Sequence, residues 1–383
     1  MPPAHAVTKL RVPFPSVPRE PTIPIRISVT RTRALPTSAA ALLLAILAAC
    51  APRLAPGTAD RLLDGLFAPP TAAEAAAVEA DWAARDTGVH GLRVERDDRD
   101  ADGRRTLVLS HTVGGVRHFG LVRVPAGAAG RKLPVLVVAH GGERGVTALE
   151  LFRSGPLAEA WVQVLPSYRS ERLVASPLRW HRSEGPPSPW DRDVDDVMAL
   201  LGAALQAVPE ADAGRVALLG RSRGAGVALL MGIRDPRVKG VVAFSGPTDF
   251  FLPAVRRLAE RAVRSRIPRL PGAGYLADSV LFALRDGRTT VPRARLELLR
   301  RSPARFVHRL PPVQLHHGSD DDEVAIAHAE RLAQALHESR RDPASWEYHR
   351  YEGGGHRPRT LAGSRERAEA FLQRIAALPP TSR

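Results

Sequence analysis

The side chains best suited to nucleophilic chemistry sit in short glycine-flanked stretches. Gly220-Arg221-Ser222-Arg223-Gly224 sets a serine midway between two glycines. Val216–Leu219 before it reads as a strand and Ala225–Leu230 after it as a helix. A strand that turns straight into a helix bends so tightly that side chains two before and two after the apex collide, and glycine removes them. The bend lifts the Ser222 hydroxyl above the sheet at a helix N-terminus, where the dipole favours a developing anion. A hydroxyl needs a base to take its proton. Gly353-Gly354-Gly355-His356 supplies an imidazole on a flexible loop after a predicted strand at 346–351. The base needs an acid to hold its tautomer. His316-His317-Gly318-Ser319-Asp320-Asp321-Asp322-Glu323-Val324, after a strand at 313–315, offers three adjacent aspartates, and the residues alone leave the choice among them open. Asp249, after a strand at 238–244, is an outside candidate for the acid. His316 and His317 are weaker candidates for the base, because they end a strand and are placed to pack.

A tetrahedral intermediate needs hydrogen-bond donors for its oxyanion. His140-Gly141-Gly142 follows the apolar run Leu133–Ala139, and its glycines let the main chain approach a substrate oxygen. The expected donors are the main-chain N–H groups of Gly142 and of Arg223, the residue after the nucleophile. His140 is read as a structural hydrogen-bonding residue. The aspartate run lacks the spacing of an EF-hand loop. The chemistry calls for no metal and no organic cofactor.

Positioning these groups requires a regular scaffold, and from residue 92 the pattern supplies one. Arg104–Thr112 and Val116–Val124 flank Gly114-Gly115 as a hairpin. Buried-type strands at 133–139, 161–165, 215–219, 238–244, 313–315 and 346–351 alternate with helices at 191–207, 224–233, 325–338 and 364–378. Such alternation gives a mostly parallel sheet covered on both faces. The order serine, aspartate, histidine is that of the α/β-hydrolase fold. Residues 251–308 break the rhythm and read as an inserted helical cap, with Arg256, Arg257, Arg261, Arg264 and Arg266 interleaved with Leu258, Ala262 and Val263. That cap either presents a solvated basic face or draws in substrates that carry a carboxylate.

The N-terminus reads as an export signal. Arg31 and Arg33 precede a short apolar run that ends Leu47-Ala48-Ala49-Cys50. These four residues resemble the lipobox of bacterial lipoproteins, which implies a lipid on the Cys50 thiol, a mature chain beginning there, and anchoring to the membrane in the cell envelope. Without acylation, the same signal gives a periplasmic or secreted protein. The expected divisions are 1–50 as extension and signal, 51–90 as a helical lead-in and tether, and 91–379 as the catalytic domain. Cys50 is the single cysteine, so no intrachain disulfide forms. The formal charge is +15, but the cations are nearly all arginines scattered among acids. With 5% aromatics and no recognition motif, nucleic acid is not an expected partner.

From about 104 to 378 the chain resembles the catalytic domain of the prolyl oligopeptidase family and its esterase and dienelactone-hydrolase-like relatives. The residues that carry this are His140-Gly141-Gly142, Pro166-Ser167-Tyr168-Arg169, Asp193-Val194-Asp195-Asp196, the stretch 220–224, His317-Gly318 through Asp322-Glu323-Val324, and Gly355-His356. The resemblance implies an acid two residues before Val324, which selects Asp322. It departs from the family in having no N-terminal propeller, no tyrosine after His140-Gly141-Gly142, and arginines on both sides of Ser222. The expected function is hydrolysis of a carboxylic ester or similar acyl bond of a small substrate through an acyl-enzyme. Short-chain esters are expected to be favoured over aminoacyl-anilides. The alternatives are a serine exopeptidase and, from another class, a non-catalytic envelope binding protein.

Overall fold

The computed structural model describes residues 58–176, 179–264 and 272–380. Two helices come first, α1 (Thr58–Phe67) and α2 (Ala72–Ala83). The α2 N-terminus is fixed by a capping box: Thr71 Oγ1 accepts from the Glu74 N–H, and the Glu74 carboxylate accepts from the Thr71 N–H. Both helices of the lead-in pack on the domain core. Leu66, Val78 and Trp82 are buried in the main core, and Arg295 reaches back to the Glu74 carboxylate and to four main-chain carbonyls between Gly65 and Pro69.

The strands are β1 (His90–Arg99), β2 (Arg105–Val113), β3 (Val116–Val124), β4 (Leu133–Ala139), β5 (Val146–Thr147), β6 (Val162–Pro166), β7 (Arg172–Ser176), β8 (Arg179–Arg182), β9 (Ala211–Arg221), β10 (Val238–Phe244), β11 (Val313–Gly318) and β12 (Trp346–Tyr351). Nine of them form one sheet in the order β1-β2-β3-β6-β4-β9-β10-β11-β12. The β1-β2-β3-β6 edge is antiparallel; from β6 to β12 every pairing is parallel. The remaining strands make a small sheet β5-β7-β8 that composition does not announce.

Between the strands run α3 (Arg192–Ala207), α4 (Arg223–Arg234), α5 (Pro253–Arg264), α6 (273–285, with a π-helical turn at Ala277–Phe282), α7 (Val291–Leu299), α8 (Ala327–Glu338) and α9 (Ser364–Ala376). Alternate residues of the central strands serve opposite cores. Val135, Val137, Val216, Leu218 and Val241 join α3 and α4, whereas Leu136, Val138, Ala217 and Val242 join Phe371, Leu372 and Ile375 of α9. The result is the α/β-hydrolase arrangement: a mostly parallel sheet, helices on both faces, and functional loops at the strand C-termini. The helices α5, α6 and α7 come between β10 and β11 in the chain, within the expected cap segment.

Candidate active site

β9 ends at Arg221 and α4 begins at Arg223, so Ser222 alone makes the turn. Its φ of 53° and ψ of −125° lie where non-glycine residues cost on the order of 1–3 kcal/mol. The flanking glycines are obligatory. A Cβ on Gly220 would stand 2.2 Å from the Gly224 carbonyl oxygen, and one on Gly224 would stand 2.1 Å from the Ala139 carbonyl oxygen. The bend is held by the Ser222 N–H donating to the Phe244 carbonyl at 2.8 Å.

The loop after β4 passes directly beside this serine. A Cβ on Gly141 would come within 3.2 Å of Ser222 Cβ, and Gly142 is left-handed at φ +80°. The Gly142 carbonyl accepts from Arg223 Nη1 at 3.0 Å. That contact fixes the peptide orientation next to the Arg223 amide, which as the first helical N–H has no intrahelical acceptor.

The Arg223 side chain has a role that the sequence reading missed. It is 3% exposed and joins several elements. Nε and Nη2 donate to Asp193 Oδ2 at 3.0 and 2.7 Å, and Nη1 donates to Glu171 Oε1 at 2.5 Å. The guanidinium lies over the Tyr168 ring, 4.5 Å from its centre, and the Arg223 carbonyl accepts from Trp190 Nε1. Burial pushes the Glu171 carboxyl up to about 7, against the pull of Arg223. His140, stacked on Tyr168 at 4.2 Å, is driven by burial to about 3 and stays neutral.

His356 faces Asp321, not Asp322. Its Nδ1 is 3.0 and 2.9 Å from the two carboxylate oxygens of Asp321. Asp321 follows β11 in a tight turn in which Oδ1 also accepts the N–H groups of Glu323 and Val324 at 3.0 and 2.8 Å. His317 Nε2 braces it from the other side, 3.2 Å from Oδ2 and 2.8 Å from the Val324 carbonyl. The Asp321 side chain is fully buried, while Asp320 and Asp322 are exposed. The expectation of Asp322 is therefore corrected by one residue: the carboxylate that meets His356 is Asp321, three before Val324. Burial resists the Asp321 charge, but hydrogen bonds from His317, His356 and Val324 outweigh it and hold the carboxyl far below its ordinary range. Burial also opposes charge on His356, yet the Asp321 hydrogen bond and the charges of Asp321, Glu323 and Asp322 raise its pKa above the usual value.

The outside candidates are engaged elsewhere. Asp249 pairs with Arg305 at 2.7 Å and with Arg331 at 3.6 Å. His316 lies between Phe244 and His349, with its ring nitrogens on Tyr351 and Gln314. Cys50 lies outside the described residues.

Two cavities meet at Ser222. One is lined by Gly141, Gly142, Arg221, Ser222, Glu323, His356, Arg357, Pro358 and Arg359. The other runs under α5 and α6, encloses about 150 Å³, and has an almost wholly apolar wall that includes Phe67, Trp190, Leu258, Ala259, Val280 and Val324. The cap turns its apolar face to this space. Of its arginines, Arg256 pairs with Asp64 and Glu260, and Arg257 and Arg261 are exposed. None of these three lines the cavity, so the expected capture of a carboxylate by cap arginines finds no support among them; the Arg264 side chain and Arg266 lie outside the described residues.

Comparison with known proteins gives the same fold. Acetyl xylan esterase 1 from Thermoanaerobacterium sp. JW/SL YS485 superposes with a TM-score of 0.57 at 16% identity, over 83% of this chain and 98% of that one. Acetyl xylan esterase from Paenibacillus sp. R4 gives 0.53 at 16% identity, over 82% and 98%. Porphyromonas gingivalis dipeptidyl peptidase 4 gives 0.50 at 16% identity, over 74% of this chain and 36% of that one. No curated protein sequence matches the chain. The sequence profile of the prolyl oligopeptidase family matches residues 182–377. Because that match spans just over half of the 383 residues and takes in the serine turn, the acid loop and the histidine loop, the chain belongs to the prolyl oligopeptidase family and is a serine hydrolase.

Proposed function

We propose that the protein is a carboxylic ester hydrolase acting on small substrates with an apolar acyl group. Ser222 Oγ attacks the ester carbonyl while His356 Nε2 takes its proton. Asp321 holds the imidazole tautomer and stabilises the imidazolium. The Gly142 and Arg223 N–H groups stabilise the oxyanion. Collapse of the intermediate breaks the C–O bond, and His356 returns the proton to the departing alcohol. Water then attacks the acyl-enzyme by the same route and frees the acid and Ser222. The reading of Arg31 to Cys50 as an export signal puts this reaction in the cell envelope, with a lipid on Cys50 as the anchor.

The observation that carries the ester reading is the cavity under α5 and α6. Its wall offers carbon to an acyl chain, and its 150 Å³ matches a cavity known to take a six-carbon ring. The exopeptidase alternative has one observation in its favour: Glu323 stands where the two cavities meet and is suited to a substrate ammonium. Fluorophosphonate labelling, with Ser222→Ala as control, tests the nucleophile. Rates on hexanoyl aryl esters against aminoacyl- and prolyl-anilides test the bond. Labelling that persists in Ser222→Ala, or anilides cleaved faster than esters, overturns the proposal.

A further inference from the structure

The surroundings of Ser222 divide sharply by polarity. An acyl chain in the apolar cavity sends the alcohol half of the substrate into the other one, past His356, whose loop continues as Arg357-Pro358-Arg359. Arg357 and Arg359 are exposed, line that cavity, and form no ion pair with any described residue. This sets them apart from the other arginines near the site. Arg221 is occupied by Glu150, at 2.7 and 2.8 Å, and Arg223 by Asp193 and Glu171.

The backbone that carries the two free cations is fixed. Thr360 Oγ1 donates to the Arg357 carbonyl at 2.7 Å and accepts the Gly355 N–H at 3.0 Å, and Pro358 begins a short helical turn. Among the described residues, the one carboxylate lining this cavity, Glu323, sits 3.7 Å from His356 Nε2 and so faces the imidazole rather than the two arginines.

Resting on the ester-hydrolase reading, we propose that the alcohol portion of the substrate carries an anion, a carboxylate or a phosphate, and that Arg357 and Arg359 hold it. Guanidinium pairs suit both groups through two-pronged hydrogen bonds. The anion also enhances encounter by steering the substrate to the polar cavity.

The test compares hexanoyl esters of a nitrophenol and of the same nitrophenol bearing a ring carboxylate, with each rate normalised to its hydroxide-catalysed hydrolysis. A second arm compares hexanoylglycerol with hexanoylglycerol phosphate. In wild-type protein at low salt, the anionic member of at least one pair is expected to show a kcat/KM about tenfold higher, mainly through KM, and the responding arm identifies the anion. The Arg357→Gln/Arg359→Gln double variant should bring that ratio close to one. Should that variant not fold, added salt must collapse the same ratio in the wild type. Turnover of all four esters with no anionic preference, or a preference that survives both the double substitution and salt, overturns the inference. Lack of turnover of every ester instead overturns the reading on which it rests.

Discussion

His356 Nδ1 lies 2.9 Å from Asp321 Oδ2, and the same carboxylate accepts two main-chain N–H groups of its own turn and is braced by His317. The Asp321 carboxylate is thereby held by its own turn and by His317 as well as by His356. Held by its own turn, the carboxylate loses little conformational freedom on meeting the imidazole, so its orientation serves the base at low entropic cost.

The first prediction separates the aspartates. Asp321→Asn keeps the shape of the turn but favours the wrong imidazole tautomer, and kcat should fall by about three to four orders of magnitude. Asp322→Asn and Asp320→Asn, both at exposed positions, should stay within about threefold of wild type. Steady-state kinetics on one aryl ester decides it, and equal losses at 321 and 322 would show that the turn does not select the acid.

The second concerns pH. The base works only when neutral, so kcat/KM should rise as pH increases through the free-enzyme pKa of His356, which stands above the ordinary 6.5. Glu323 contributes negative charge to that elevation. Removing it in Glu323→Gln destabilises the imidazolium, so the acid limb should move to lower pH. A limb that stays in place or moves upward contradicts the assignment. Comparison with Glu352→Gln, on the same loop but without a part in the His356 shift, controls for general surface charge.

How legible the site was depended on range. The loops that carry Ser222, Gly142 and His356 could be read because each directly follows a strand that is plain in the sequence. The carboxylate that meets His356 slipped by one residue because three equivalent aspartates are distinguished only by a turn whose N–H groups point at Asp321. The Arg223 cluster was hidden for another reason: its partners Asp193, Glu171 and Gly142 are 30, 52 and 81 residues away. Among the strands, β1 was missed because the edge sequence His90–Arg99 is charged on both faces and its apolar alternation is limited to Leu92 and Val94. The core strands were plain because both of their faces are buried.

The third prediction compares the two arginines beside the serine. Arg223→Met leaves Asp193 and Glu171 buried without their cation, a loss of about 3–5 kcal/mol. Arg221→Met removes only an exposed pair with Glu150, worth at most about 1 kcal/mol. Urea denaturation of both variants should show this order. Folded Arg223→Met protein should also lose kcat, since the Gly142 carbonyl loses its anchor. Stability equal to that of Arg221→Met would mean that the cluster relaxes without cost.

The last prediction tests the acyl cavity by filling it. Ala259 is 5% exposed and lines the cavity from α5. Replacing it with tryptophan adds a ring whose volume approaches that of the enclosed space, so the indole takes the position of the acyl chain. The nucleophile, the base and the oxyanion donors lie on other elements and keep their geometry. With wild-type protein, kcat/KM should climb from acetyl to hexanoyl esters as each added methylene buries apolar surface, at up to about 0.8 kcal/mol apiece. In Ala259→Trp the hexanoyl ester should lose at least about tenfold while the acetyl ester changes little, which inverts the order. Overpacking can itself destabilise the cap, so Ala259→Leu serves as the milder step and should lie between the two. A uniform fall across all chain lengths would indicate a distorted cap, and an unchanged preference would show that acyl chains do not enter beneath α5.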